Sequence, residues 1–103
     1  MRATRGVRDI LPQERAAWRA AEKAATSIAE RYGYQQIETP ILEPAELIER
    51  GVGESTDVVT KELYKFQDPG ERWLVLRPEG TAGTVRAYFE GGLNQGPQPA
   101  RLY

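Results

Sequence analysis

The densest chemistry in the chain is the run Arg77-Pro78-Glu79-Gly80-Thr81, which places a cation, a carboxylate, a glycine and a hydroxyl within five residues. The apolar run Trp73-Leu74-Val75-Leu76 leads into it, and a helical pattern resumes near Thr81. A strand feeding a helix through a short polar turn presents unpaired backbone N–H groups on a rigid support. Glu79 there has two roles open to it. As a carboxylate it accepts hydrogen bonds from a ligand ammonium group, and as an anion at a helix start it caps the helix and complements its dipole. Thr81 is read as the N-cap of the helix, or as a hydroxyl holding a small ligand beside Glu79. Arg77 is expected to pair with Glu79 or another carboxylate, and Gly80 and Gly83 leave room for a ligand or another backbone.

The remaining composition removes whole classes of chemistry. The 103 residues contain no His and no Cys, which excludes disulfides, Cys/His metal sites, cysteine nucleophiles and Ser-His-Asp triads within the chain. Acid–base work falls to Asp, Glu, Lys and Tyr. Fourteen basic residues against fifteen acidic ones leave a net charge of −1, which gives no electrostatic case for nucleic acid or an anionic membrane. No apolar run approaches the roughly 18 residues of a membrane span, and the N-terminus lacks the apolar core of a signal peptide. The expected compartment is the cytoplasm. A chain this long makes one domain, or part of one, burying roughly two-thirds of its unfolded surface.

The elements that must position the turn are legible in the spacing. Pro12 and Glu14 open a helix whose apolar residues Trp18, Ala21, Ala25, Ile28 and Tyr32 recur at three and four, with Gly33 as its stop. Residues 34–39 read as a strand with Ile37 inward, ended by Pro40. Residues 41–44 are extended, since a residue before proline is pushed out of the helical region. Residues 44–50 form a short helix with Pro44 in front and Gly51 behind. Glu43, Glu46 and Glu49 are read as solvated carboxylates on its surface face. Residues 51–60 have no sustained period and read as a mobile loop. The runs 63–66 and 73–76, joined through Asp68-Pro69-Gly70, read as a β-hairpin. The following helix carries Val85, Tyr88 and Phe89 and stops at Gly91-Gly92. Residues 100–103 begin a further strand or form a short C-terminal edge strand. From the residues alone this is an α+β fold, an antiparallel sheet with packed helices, whose polar turn either caps the next helix or binds an amine.

Four blocks in register carry a resemblance beyond that reading. They are Gly6-Val7-Arg8-Asp9-Ile10-Leu11-Pro12; Tyr32-Gly33-Tyr34 through Thr39-Pro40-Ile41-Leu42-Glu43; Gly53-Glu54-Ser55-Thr56-Asp57-Val58-Val59 with Lys61-Glu62-Leu63-Tyr64; and Leu76-Arg77-Pro78-Glu79-Gly80-Thr81-Ala82. Together they resemble the N-terminal part of the catalytic domain of the histidyl-tRNA synthetases, which are class II aminoacyl-tRNA synthetases. The resemblance implies that residues 1–103 form one segment of that domain, with the motif 1 region at about 12–50, the mobile loop at about 51–60 and the hairpin and histidine-binding turn at about 62–90.

It also implies roles for single residues. Glu79 and Thr81 match positions that hold the α-amino group of bound histidine, and the first helix with the segment ending at Pro40 matches the homodimer interface. The loop 53–59 resembles a segment at the active-site mouth that orders on substrate binding. The implied reaction is ATP-dependent activation of histidine and its transfer to histidine tRNA, with ATP and Mg2+ required by the complete enzyme. No catalytic residue, metal ligand or cofactor is expected of these 103 residues alone, because the family's motif 2 begins at about Arg101-Leu102-Tyr103. The ATP-binding arginine of that motif, motif 3 and the anticodon-binding domain are not matched. The resemblance leaves two other readings: the histidine-binding regulatory subunit of ATP phosphoribosyltransferase, and a non-catalytic dimerisation module.

Overall fold

The computed structural model describes residues 2–52 and 63–103; of the loop expected at 51–60, residues 51 and 52 are helical and 53–60 lie outside the described residues. The chain divides into two compact units, one made of Met1–Gln36 with Arg101–Tyr103 and the other of Ile37–Ala100.

The first unit is built on α1, Pro12–Arg31. Proline occupies its first turn, Glu14 sits at the positive end of the dipole and Arg31 at the negative end. Arg8 clamps Glu14 through two hydrogen bonds of 2.7 and 2.6 Å, and Arg15 reaches Glu22 two turns on. The helix stops where the sequence says it should. Gly33 adopts φ +78°, its N–H donates to the Glu30 carbonyl, and the Tyr34 N–H donates to the Ala29 carbonyl. This pair of bonds is the Schellman arrangement, which a residue with a Cβ enters only with strain. No residue of α1 is buried, and Trp18, Ile28 and Tyr32 are all exposed.

The expected strand at 34–39 does not form as such. Only Gln35 pairs, in a single parallel bridge with Leu102, and this is also the extent of strand structure at residues 100–103. Past Gln35 the backbone is spoken for otherwise: the Thr39 carbonyl accepts from the Arg77 guanidinium, and Pro40 has no N–H to give.

The second unit holds a three-stranded antiparallel sheet of β1 (Leu42–Pro44), β2 (Lys65–Gln67) and β3 (Trp73–Leu76), in the order β1-β3-β2. Glu43 lies opposite Val75 and Pro44 opposite Leu74, while Lys65 faces Val75 from the other side. Pro44 is tolerated because β1 is an edge strand. The hairpin between β2 and β3 closes on Asp68, whose carboxylate accepts from the Gly70 and Arg72 N–H groups and from the Arg72 side chain. These contacts hold the Asp68 carboxyl below its ordinary range, the Arg72 guanidinium contributing most. Helix α2, Ala45–Val52, follows β1 directly. It runs through Gly51 rather than stopping there, since that glycine lies where α2 meets α3 (Thr81–Glu90). A Cβ on Gly51 would stand 3.7 Å from Ala82 Cβ. The core of this unit is Ala45, Ile48 and Val75, with Leu63 and Ala82 packed against it. Lys65 ties α2 to the hairpin, bonding Glu49 at 2.6 Å and lying over the Trp73 ring.

Candidate functional site

β3 ends at Leu76 and α3 begins at Thr81, so the four residues 77–80 form the polar turn. The N-cap position belongs to Gly80, with φ −101°, and not to Thr81, which is already helical. Glu79 does the capping from one residue further out. Its two carboxylate oxygens accept the backbone N–H groups of Thr81 and of Ala82, the latter at 3.0 Å. The Thr81 hydroxyl is the largest of the contacts that lower the Glu79 pKa, followed by the Ala82 and Thr81 N–H groups. The carboxylate is therefore anionic at neutral pH and oriented by the helix it caps. Capping and ligand binding are compatible, because an ionised carboxylate has about four acceptor sites and the two N–H donors leave room for others.

Among the described residues Arg77 pairs with no carboxylate. Its guanidinium donates to the Thr39 carbonyl at 3.0 Å and to Thr39 Oγ1 at 2.6 Å, and its backbone N–H donates to the Ile41 carbonyl at 2.9 Å. The positive charge serves to hold the start of the turn.

Glu79 and Thr81 face a cavity of about 600 Å³, open on one side and lined also by Leu47, Arg50, Ala82 and Val85. Arg50 pairs with Glu46 one helical turn away. The cavity thus has one anionic end, one hydroxyl, an apolar wall and a guanidinium at its rim. That arrangement suits a small molecule with an ammonium group and an organic body. Pro40 is exposed and is not among the residues lining this cavity. Among the described residues there is no group of three or more acidic side chains that could hold a metal ion.

Glu43 is the residue that the sequence misplaces. It is 2% exposed, not solvated, and faces inward from the middle of β1. Arg86 of α3 grips it with Nε and Nη2, each at 2.9 Å, and also pairs with Glu90. The carboxylates hold the Arg86 guanidinium above its ordinary pKa, Glu43 contributing most. A signal for this was present: Pro44 forces Glu43 to be extended, so it could not share a helix face with Glu46. The matching cation, 43 residues on, carries no local signal at all.

The comparisons with known proteins bear on the same residues. The family model for histidyl-tRNA synthetase matches residues 6–103. The chain belongs to the histidyl-tRNA synthetase family. A histidine–tRNA ligase of Desulforamulus reducens is 54% identical over 99 residues, which are 96% of this chain and 24% of that protein. The crystal structure of an apo S. aureus histidyl-tRNA synthetase superposes with a TM-score of 0.85 at 38% identity, covering 99% of this chain and 24% of that one. A Bacillus halodurans structure described as an ATP phosphoribosyltransferase regulatory subunit/histidyl-tRNA synthetase matches with a TM-score of 0.77 at 33% identity, over 94% of this chain. The chain spans about a quarter of the length of these relatives. Family membership accords with the mixed helix and antiparallel sheet of the class II catalytic fold.

Proposed function

We propose that this chain supplies the amino-acid end of the active site of a histidine–tRNA ligase. Glu79 and Thr81 receive the α-amino group of histidine, and the cavity walled by Leu47, Ala82 and Val85 receives part of its body. The observation that carries this reading is the geometry of Glu79, a carboxylate fixed by two backbone N–H groups of α3 and lining the cavity with acceptor capacity left over. An ammonium held there fixes the orientation of the carboxylate that would attack ATP, and positioning of this kind accounts for much of the catalysis of such transfers. The substrates proposed are L-histidine, ATP and histidine tRNA, and the compartment proposed is the cytoplasm. No described helix is long and apolar enough to cross a membrane. Mg2+ is proposed only for the complete enzyme; the described residues include no group of three or more acidic side chains that could hold a metal ion.

The 103-residue chain by itself is proposed not to form histidyl-adenylate. Phosphoryl charge needs cationic stabilisation, and the cation lining this cavity, Arg50, is already paired with Glu46. A homodimer is proposed with α1 and, separately, Pro40 as contact candidates, supported by the absence of any buried residue in that helix and by the exposure of Pro40.

The test is histidine-dependent ATP–pyrophosphate exchange by the product of the complete gene. The wild type should exchange, and Glu79→Gln should lose about ten- to a hundredfold in kcat/KM for histidine, the scale of a hydrogen bond to a charged group. Unchanged kcat/KM would refute the assignment. The Bacillus halodurans match supports a second reading, a histidine-binding regulatory subunit. A gene product that binds histidine without exchange activity would favour it.

A further inference from the structure

The turn is gripped at both ends by one short segment, residues 39–43. At its start, Arg77 is held by three hydrogen bonds to Thr39 and Ile41. At its far side, Glu43 takes Arg86 in a two-pronged ion pair. Gly83, one turn into α3, is buried against the same segment: a Cβ there would come within 2.7 Å of Glu43 Oε1 and 3.4 Å of Thr39 Oγ1. Thr39 therefore touches both the Arg77 end and the helix end.

We infer that Glu43 and Arg86, together with Thr39 and Arg77, are positioning residues for the amine-binding turn, fixing where Glu79 presents its carboxylate. The inference rests on reading Glu79 and Thr81 as an amino-group site. A buried ion pair is a poor device for stability alone, since well-packed apolar residues of similar volume often do as well. Its advantage is geometric. A planar guanidinium on two carboxylate oxygens fixes direction as well as distance, and so sets the rotation and height of α3 relative to β1. The N–H groups of Thr81 and Ala82 that orient Glu79 ride on that helix. A half-turn error in α3 would aim the carboxylate away from the cavity even with the helix intact.

The test needs no ligand. In the 103-residue chain labelled for NMR, the Glu79 side-chain carboxyl is titrated, and amide exchange is followed at Thr81 and Ala82 with Val75 of the central strand as the reference. Glu43→Gln should move the Glu79 midpoint upward, toward the ordinary carboxylate value. It should also speed exchange at Thr81 and Ala82 by at least about tenfold relative to Val75, as local opening of one element does. Arg86→Lys, which keeps the charge but has a single donor head, should shift both in the same direction by less. If Glu43→Gln does not fold, Arg86→Lys carries the same comparison. A merely structural pair would raise all three exchange rates together and leave the Glu79 midpoint where it was, and that result overturns the inference. Because histidine is absent throughout, such a failure is distinct from a failure of Glu79 as the amino-group site, which the Glu79→Gln kinetics report.

Discussion

Replacing Gly83 by alanine sets two effects of opposite sign against each other. Alanine in a helix interior is favoured over glycine by about 1 kcal/mol, so an open position would gain. Gly83 is not open, because its new Cβ would lie 2.7 Å from Glu43 Oε1. The carboxylate must retreat by about 0.7 Å to reach an ordinary contact at 3.4 Å. It is the end of a flexible side chain, but it is only 3% exposed and is held by two bonds of 2.9 Å from Arg86. Losing one charge-assisted bond costs about 1.5–3 kcal/mol, and losing the whole pair leaves a buried charge at about 3–5 kcal/mol. Net of the helix gain, Gly83→Ala should destabilise the fold by about 0.5–4 kcal/mol. A loss of about 2 kcal/mol lowers Tm by roughly 8–16 °C in a domain of this size. Urea melts followed by circular dichroism measure it. The decisive comparison is a double-mutant cycle with Glu43→Ala, which removes the colliding atom; there Gly83→Ala should become stabilising by about 1 kcal/mol. A Gly83→Ala variant as stable as its parent, or equal effects in both backgrounds, would refute the reasoning.

Ile48→Ala should cost about 2–5 kcal/mol in the same urea melts, because Ile48 is 1% exposed in a core of very few residues. Glu79 has a folded pKa below its ordinary 4.5, so its contribution to α3 is present above that value and is lost as pH falls through the lowered one. Amide exchange at Ala82 should show that acid-side loss, and Glu79→Gln should abolish it. Tyr103 is shifted the other way: burial, then its hydrogen bond to Glu30, raise the phenol above its ordinary 10. The stabilisation it lends is whole below 10 and disappears as pH rises through the raised value; Tyr103→Phe should remove this alkaline transition from the α1 ellipticity. In isolation the 103-residue chain should show no histidine-dependent ATP–pyrophosphate exchange and histidine binding too weak for calorimetry. Micromolar binding that is lost in Glu79→Ala would show this expectation to be wrong.

What the sequence revealed depended on how local each determinant is. The first helix, its glycine stop, the Asp68 turn and the ends of α3 are all set by residues within a few positions of one another, and each stands where expected. Misreadings arose where distant partners decide. The segment 34–39 has the residue types of a strand, but its Thr39 carbonyl is claimed by an arginine 38 positions away. Gly51 looks like a helix stop until α3 is placed beside it, when it becomes a contact. Thr81 has the chemistry of an N-cap, yet it is already helical, and Glu79 accepts the N–H groups of Thr81 and Ala82 from outside the helix. Glu43 looked like one surface carboxylate among three because Arg86 is remote in sequence. The turn itself was legible from local spacing, while the residues that hold it still were not.

The junction of β1 and α2 contains no connecting residue: Pro44 ends the strand and Ala45 begins the helix. Glu43 on one side and Ala45 and Ile48 on the other are all buried, so both flanks of the junction are anchored. One residue inserted there would rotate α2 by about 100°, turning Ile48 away from Val75 and carrying Arg50 off the rim of the cavity. A residue inserted at the exposed Asp68-Pro69-Gly70 tip would disturb only a turn. Tolerance to length change is thus sharply uneven along this segment. The cavity beside the turn is calibrated by the number of residues between its parts as much as by their kind.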